Sequence, residues 1–340
     1  MKLLHTSVIG LAAVFAATGC GAAADATATQ LVVVGQGGGY DEAHKKAAKA
    51  FEEEHGVEIT FQPGANTNGL VLARGGDVDL LLSQPLISFQ GEKEGLWAEI
   101  TPDNAPNTAD LYEKAQLSPT TKVHDFGAYV LAYDPKQVSE PKTWESLWDK
   151  EYCEKITMPD FTNPVIILTT LMAEENGGSL QNMDPGFAKM EELAPCVHTW
   201  WESNDQVDQL FRSGEAAVGI TTSARALESQ QNGLEIEYTM PEPGALAMMT
   251  TANVVEDSPN RDLALEYLDH MMSPEAQKVF AESMPYMPSN PATYDQLEPA
   301  SRDAIGFGPD DLDRFVAPDY EYVEGVIKDW QQEWNTRIHG

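Results

Sequence analysis

The stretch FGAYVLAYDPKQVSEPKTWESLWDKEYCEKITMPDFTN, residues 126–163, predicts a chain that leaves one lobe and enters the sheet of another. FGAYVLAY is apolar and aromatic enough for a buried strand, and the Asp-Pro pair that follows ends it. Thr143 is a helix N-cap for TWESLWD, whose two tryptophans and leucine share one helical face, and KITMP predicts a second strand. Because clefts for small molecules form preferentially where domains meet, this crossing predicts a binding cleft.

The residues before this stretch alternate between strand and helix patterns. LVVVG predicts a buried strand, and Asp41 is the expected N-cap of a long amphipathic helix that ends at His55-Gly56. VEITFQP and DVDLLLS predict two further strands, with a short helix between them and a short strand at Leu96 to Ile100. This order is the signature of a parallel α/β sheet, and we expect the first lobe to end near Val123.

The residues after the stretch predict a second α/β lobe and a return crossing. AAVGITT is a strand pattern followed by a helix at Ser223 to Gln231, and ALAMMTTANVV is the expected return strand. Asp319 to Ile338 predicts a closing helix with its two tryptophans on one face. The predicted organisation is a signal peptide at 1–24, a first lobe from 25–125 and 246–340 with the C-terminal helices, and a second lobe at 126–245.

The amino terminus predicts export. Lys2 precedes an apolar run from Leu11 to Ala17 that is too short for a membrane span and has the layout of a secretory signal. Cleavage before Cys20 would leave a lipid anchor on that cysteine, and cleavage after Ala24 would release a soluble protein. Both alternatives place the protein in the periplasm.

Three cysteines occur in the sequence, and export leaves two of them to pair. Cys20 is removed or lipidated, so Cys153 and Cys196 remain in an oxidising compartment. We predict a disulfide between them; two unpaired buried thiols are the alternative.

Composition and motifs exclude several function classes. The formal net charge of −33 is spread along the chain, which is the wrong sign for nucleic acid and is typical of a solvated acidic surface. The motifs of zinc proteases, serine hydrolases and P-loop enzymes are missing, and GQGGGY does not fit a dinucleotide fingerprint. The histidines His44, His55, His124 and His198 lack metal-ligand spacing, so we expect surface or capping roles and no metal or cofactor.

Aromatic residues near strand ends are the better clue to function. They suit a cleft for small organic solutes and comprise Tyr40, Phe126, Tyr129, Trp200, Trp201 and Tyr286. Any one of them alone is better explained as a packed core or rim aromatic, and it is their grouping at predicted crossings that indicates a cleft.

Five segments taken together in this order resemble the periplasmic solute-binding proteins of ABC importers, in the spermidine/putrescine-binding group. They are GGGYDEAHKKAAKAFEEEHGVEITF, GAYVLAYDPKQVSEPKTWESLWDKEY with KITMPD, LFRSGEAAVGITTSARAL, LALEYLDHMMSPEAQKVFAE with PYMPSN, and YEYVEGVIKDWQQEWN. The resemblance covers nearly the whole mature chain. It implies two α/β lobes that close on a solute and present the closed form to membrane permease subunits, without covalent chemistry.

The family's ligand contacts do not all carry over. Polyamine-binding members place aromatic or acidic residues where this chain has Met248, Thr250 and Thr222, and acidic residues near Phe161 and Pro164, which puts a polyamine in doubt. The tyrosine pair of related ferric-iron binders is also missing beside Tyr286. The matching positions that remain imply a hydroxyl and amide lining for a small polar or zwitterionic organic solute: Tyr40, Ser83, Gln84, Tyr129, Thr162, Asn163, Thr222 and Thr250.

Two other functions stay open at the level of sequence. An exported enzyme could use a similar two-lobed cleft, although no acid/base pair or nucleophile constellation supports it. A structural envelope protein with a vestigial cleft is the third alternative. The receptor for a small organic nitrogenous solute is the prediction that follows from the export signal, the two-lobed pattern and the family segments together.

Overall fold

The computed structural model describes residues 29–65, 67–201 and 203–340, so the signal segment and Cys20 lie outside the described residues. The described strands all join one sheet. They are β1 Thr29–Gly35, β2 Val57–Pro63, β3 Leu80–Ser83, β4 Lys122–Tyr133, β5 Ile156–Pro159, β6 Val197–Trp201, β7 Val218–Thr222, β8 Glu237–Thr239, β9 Leu246–Val254 and β10 Met287–Pro288.

Twelve α-helices surround this sheet in the part of the chain that the structure describes. They are α1 Gly38–His55, α2 Thr67–Gly75, α3 Pro85–Lys93, α4 Asn163–Glu175, α5 Asp184–Leu193, α6 Asn204–Ser213, α7 Ser223–Gln231, α8 Arg261–Met272, α9 Pro274–Ala281, α10 Pro291–Tyr294, α11 Pro299–Ile305 and α12 Tyr320–Ile338. Short 3₁₀ helices lie at Pro106–Asp110, Glu113–Ala115, Trp144–Trp148, Ala194–Cys196 and Pro309–Arg314.

The strand order β2-β1-β3-β9-β4-β7-β5-β6 divides the sheet into two halves joined by β9 and β4. We call the half with β1 to β3 the first lobe and the half with β5 to β7 the second lobe. β4 and β9 are antiparallel and buried at every position, with Asp125 opposite Thr250 and Tyr129 opposite Leu246. The predicted crossing and return are therefore both present, and the prediction of an α/β, two-lobed fold is confirmed.

Two strand predictions need correction. The crossing strand begins at Lys122 rather than Phe126, so Val123, the expected end of the first lobe, lies inside it. The expected strand at Leu96 to Ile100 is reduced to a single bridge between Trp97 and Val255, because this segment passes the end of β9 without running alongside a partner.

The expected N-cap of the first helix was also wrong. Helix α1 begins at Gly38, and its N-cap is Gly37, whose φ of 87° is a conformation that glycine adopts without steric cost. Asp41 lies in the first turn instead, and its Oδ1 accepts a hydrogen bond of 3.0 Å from the Gly37 backbone N–H. The Asp41 carboxylate therefore accepts from a backbone N–H at the start of the helix, although Asp41 itself lies in the first turn. Thr143 caps Trp144–Trp148 as predicted, although that turn is a 3₁₀ helix.

The closing helix α12 packs against both lobes. It contacts α3 in the first lobe and α5 in the second. Asp319 caps it as predicted, and the fully buried Trp334 donates its indole N–H to Asp160 Oδ1 at 2.7 Å. Lys93 of α3 forms an ion pair with Glu324 at 2.9 Å. The helix is thus a third connection between the lobes, beside the two crossing strands.

Two histidines expected at the surface or at caps are buried in the core. His44 of α1 and His124 of β4 are 1% and 2% exposed, with ring centroids 4.6 Å apart. Phe280 of α9 packs against both rings at 4.4 and 4.8 Å. The prediction was wrong because the absence of metal-ligand spacing carries no information about burial. The packing of α1 against α9, which are far apart in the sequence, encloses both rings.

Cys153 and Cys196 form a disulfide, as predicted. The two residues are 43 positions apart, and the bond ties the segment before β5 to the segment before β6. The parallel pairing of those strands begins at Ile156 opposite Val197, next to the cross-link.

Reduction of this disulfide should lower the stability of the protein. For a closed loop of 43 residues the chain-entropy relation gives a loss of about 4 kcal/mol in the free energy of unfolding. Urea unfolding with and without dithiothreitol measures this loss, and the double variant C153A/C196A is the control that dithiothreitol should not affect. Equal midpoints for reduced and oxidised wild type would contradict the prediction.

The buried His44 should make the protein less stable in mild acid. Burial, and secondarily His124, holds the pKa of His44 well below its usual 6.5 in the folded state. Below about pH 6.5 the imidazole of His44 binds a proton in the unfolded chain and not in the folded chain. The free energy of unfolding therefore decreases as the pH is lowered, by up to about 1.4 kcal/mol per pH unit.

The variant His44→Gln removes this contribution. We expect the difference in unfolding free energy between wild type and variant to be constant above about pH 7.5, where the imidazole is neutral in both states. Below about pH 6.5 that difference should shift in favour of the variant. Parallel stability curves from pH 8 to 5, measured by urea unfolding, would show that the prediction is wrong.

Candidate functional site

A cavity of about 640 Å³ lies between the two lobes. One wall comes from the first residues of α1 and the segment after α9, and the other from α7, with α11 closing one side. The lining residues are Gly39, Thr222, Ala224, Arg225, Leu227, Glu228, Gln231, Ala281–Tyr286, Ala300, Ser301 and Ala304. Tyr286 lies near Asp125 and Tyr129 of β4 and near Glu228 of α7. Burial, and next these three groups, raise the pKa of Tyr286 far above its usual value.

A buried carboxylate, Asp125, lies close to Tyr286 of the cavity lining. Tyr40 of α1 donates its hydroxyl hydrogen to Asp125 Oδ2 at 2.6 Å, and His124 Nδ1 lies 2.9 Å from the same oxygen. Asp125 is 1% exposed, and its other oxygen, Oδ1, has no hydrogen-bond partner among the described residues. Burial, and next the charge of Asp125, raises the pKa of Tyr40 well above its usual value, so this hydroxyl stays protonated.

Thr250 lies directly across the sheet from this carboxylate. It pairs with Asp125 in the register of β4 and β9, and its hydroxyl accepts a 3.1 Å hydrogen bond from the side chain of Gln36. We call Tyr40, Asp125 and Thr250 the carboxylate cluster. Strand pairing places Thr250 beside Asp125, and a hydrogen bond joins Tyr40 of α1 to the same carboxylate. Tyr40 and Thr250 were predicted site residues, and Asp125 was not.

Three uncharged polar residues lie together at the start of α4. Asn163, the first residue of α4, lies close to the hydroxyls of Tyr129 in β4 and Tyr320 in α12. All three residues are buried, and neither Asn163 Oδ1 nor the Tyr320 hydroxyl makes a hydrogen bond of normal geometry with the described residues. We call these residues the hydroxyl-amide cluster; two of them were predicted and Tyr320 was not.

Thr222 and two charged residues of α7 form the remaining wall. The Thr222 hydroxyl caps α7 by accepting a 3.2 Å hydrogen bond from the Arg225 backbone N–H. The Arg225 guanidinium lies 3.3 Å from Asp208 and 3.1 Å from Glu228. This cation is therefore held by two carboxylates at the rim.

The other three predicted site residues lie elsewhere. Ser83 is fully buried, and its hydroxyl lies 3.2 and 3.3 Å from those of Ser88 and Thr251. Thr250 and Thr251 are neighbours in one strand and point to opposite faces, so Ser83 is separated from the carboxylate cluster by the sheet. Gln84 and Thr162 are exposed at the starts of α3 and α4.

The sequence contained a signal for the missed carboxylate. Asp125 is an acidic residue that directly precedes the apolar run FGAYVLAY of a buried strand, and a buried charge there needs a partner. Tyr320 had no comparable signal, because its position in the cleft depends on where α12 docks.

The described residues contain no group of three or more histidine, cysteine or acidic side chains that could hold a metal ion. Within the same ranges, no helix combines the length and the apolar character that a membrane crossing needs. The cavity lining offers Tyr286, uncharged hydrogen-bonding groups and charged side chains of α7, and the buried Asp125 lies close behind Tyr286; this suits binding of an organic solute.

Known proteins resemble this chain along most of its length. A family model described as bacterial extracellular solute-binding protein matches residues 46–305. A gamma-aminobutyric acid-binding protein of Pseudomonas aeruginosa is 26% identical over 93% of this chain and 92% of its own. The spermidine/putrescine-binding periplasmic protein of Escherichia coli is 21% identical, with 83% and 82% covered.

A solved structure shows the same fold. The crystal structure of an ABC transporter protein from Clostridium perfringens superimposes with a TM-score of 0.81 and 24% identity, covering 91% of this chain and 99% of its own. The family match supports the prediction of a solute receptor and gives no support to an enzyme. The chain belongs to the family of bacterial extracellular solute-binding proteins, as its resemblance in sequence and its two-lobed fold predicted.

Proposed function

We propose that this protein is the receptor of an ABC importer that captures a small organic solute carrying a protonated amine. The observation on which the proposal rests is the buried Asp125, whose Oδ1 has no hydrogen-bond partner among the described residues. A buried carboxylate oxygen without a hydrogen bond is costly, and an ammonium group that donates to Oδ1 offsets that cost. Tyr40 and Tyr286 add aromatic surface beside the same carboxylate, which favours a cation.

The relatives support an amine without fixing the solute. Gamma-aminobutyric acid, spermidine and putrescine, which name two of the relatives, all carry a protonated amine. The residues that contact polyamines in the family are replaced here by residues such as Met248 and Thr222. In the proposal, the buried carboxylate of Asp125 alone pairs with the amine. A small organic nitrogenous solute with one amine at Asp125 is consistent with both observations.

Capture requires the solute to bind the closed form better than the open one. A ligand that contacts both lobes does so, because opening the cleft breaks half of its contacts. We propose that 25–125 with 246–340 and 126–245 move as the two bodies, with β4 and β9 bending between them. The closed form would then be presented to the membrane permease subunits.

Replacement of Asp125 tests the proposal. Thermal unfolding and calorimetry with butylamine, putrescine and 4-aminobutyrate should show that at least one amine stabilises the wild type, by about 2.7 kcal/mol at a hundredfold excess over Kd. Asp125→Asn should weaken binding of that amine by about 10- to 100-fold, since a charged hydrogen bond contributes roughly 1.5–3 kcal/mol.

A matched control is Asp79→Asn. Asp79 is also buried, but its oxygens accept hydrogen bonds from the Val32 backbone at 2.7 Å and from Ser258 at 2.5 Å. We expect this variant to lower the melting temperature and leave Kd unchanged. The proposal is overturned if no amine raises the melting temperature or if Asp125→Asn binds the amine like wild type.

We further propose that the protein works in the periplasm, either free or anchored through Cys20. The supporting observations are the secretory layout of the amino terminus and membership of an extracellular family. Treatment of cells with globomycin, which blocks lipoprotein signal peptidase, should cause a slower-migrating precursor to accumulate if Cys20 is lipidated. If globomycin leaves the gel mobility unchanged, the signal is cleaved after Ala24 and the protein is free in the periplasm.

A further inference from the structure

The hydroxyl-amide cluster has hydrogen-bonding capacity that the protein itself does not use. Tyr129, Asn163 and Tyr320 are 9%, 7% and 4% exposed. Asn163 Oδ1 and the Tyr320 hydroxyl nevertheless lack hydrogen-bond partners of normal geometry within the described ranges. Buried polar groups are nearly always paired, so unpaired ones indicate where a ligand binds. This cluster is connected to the cavity through Tyr129, which lies near Tyr286 of the lining.

The electrostatic surroundings of this cluster differ from those of the carboxylate cluster. Burial raises the pKa of Tyr129 to about 12 and that of Tyr320 still further; Asn163 acts on both hydroxyls, and Tyr129 acts on Tyr320. No carboxylate acts on either hydroxyl among the described residues, whereas Asp125 acts on both Tyr40 and Tyr286. The cluster therefore presents two neutral hydroxyl donors and no negative charge, and the unpaired Asn163 Oδ1 is an acceptor.

Helix α4 adds a positive partial charge at the same place. Its 13 residues begin at Asn163, and the side chain of its N-cap, Thr162, makes no capping hydrogen bond. The start of an α-helix carries unpaired N–H groups and the positive end of the helix dipole, which together favour an anion. The buried Tyr320 hydroxyl beside it, which can donate a hydrogen bond and has no partner among the described residues, is an independent sign of a ligand.

We propose that the hydroxyl-amide cluster binds the carboxylate of a linear amino acid whose ammonium group is held by Asp125. This inference rests on the proposed function, because it takes the amine end at Asp125 as given. Tyr286 lies near both clusters, as its interactions with Asp125 and Tyr129 show, so one short solute can reach both. The protein then selects zwitterions over diamines.

The selectivity has a simple physical reason. A carboxylate accepts hydrogen bonds from the hydroxyls of Tyr129 and Tyr320, and the start of α4 stabilises its charge. The second ammonium of a diamine would lose its hydration without meeting a carboxylate there. A plain alkylamine would leave the polar groups of the cluster unpaired.

Three ligands with the same four-carbon chain test this inference. Calorimetry on the full protein should give the tightest binding for 4-aminobutyrate, with butylamine and putrescine each at least about tenfold weaker. If none of the three binds, the proposed function fails. If all bind through Asp125 but putrescine or butylamine equals 4-aminobutyrate, only this inference fails.

Two variants locate the carboxylate site. Tyr320→Phe should weaken 4-aminobutyrate binding by about tenfold and leave butylamine binding unchanged, because only the former uses the hydroxyl. Tyr267→Phe is the matched control: Tyr267 of α8 is 1% exposed with an equally unpaired hydroxyl, but it packs against Phe51 of α1, away from Asn163 and Tyr286. Its affinity for both ligands should stay that of wild type.

A loss of fold in Tyr320→Phe would show in the melting temperature and in butylamine binding. In that case Tyr129→Phe provides the second variant, with the same selective loss expected. The inference is overturned if both ligands weaken equally in a folded Tyr320→Phe or Tyr129→Phe variant, or if 4-aminobutyrate binding is unaffected in both variants.

Discussion

The antiparallel pairing of β4 with β9 determines where the residues of the cleft lie. Both strands are buried at every position, and their register places Asp125 opposite Thr250 and Tyr129 opposite Leu246. Because successive residues of a strand point to opposite faces, a shift of one position would move Asp125 and Tyr129 away from the cavity. The same two strands are the only β-connections between the lobes in the described chain, so the hinge and the floor of the cleft are one structure.

Burial of Asp125 carries an energetic cost that the protein only partly offsets. Tyr40 and His124 both contact Oδ2, which fixes the carboxylate group, whereas Oδ1 has no partner among the described residues. A buried acceptor without a hydrogen bond is unfavourable for stability. Asp79, by contrast, has hydrogen bonds on both oxygens and joins β1 to the segment after β9. This difference is the reason for proposing a binding role for Asp125 and a structural one for Asp79.

Sequence periodicity was sufficient for the architecture and insufficient for the site. The strand and helix patterns predicted both crossings, the α7 boundaries and the α12 start, since these depend on local hydrophobic spacing and capping residues. The start of α1 was misassigned because a glycine with positive φ can begin a helix before the first good capping side chain. His44 and His124 were misplaced because burial depends on α9 packing against α1, which local sequence does not encode.

The placement of Ser83 shows the same limit within the site. It lies beside Thr251 in the sheet, yet the face it occupies is set by strand parity, and it joins a separate buried network with Ser88. Family position alone therefore groups residues that the sheet separates. Asp125 and Tyr320 show the converse, since they come from distant parts of the chain and meet the predicted residues only after β4 pairs and α12 docks.

Helix α12 would link the proposed solute to the proposed motion of the lobes. Its first residue, Tyr320, lies near Asn163, and Trp334 in its last turns donates to Asp160, three residues before Asn163. Glu324, between these two residues, pairs with Lys93 of α3 in the first lobe. A solute that contacts Asn163 and Tyr320, as proposed, would therefore act on a helix that contacts α3 of the first lobe and α5 of the second. Under the proposed closure, binding and lobe movement would be coupled through this helix as well as through the two crossing strands.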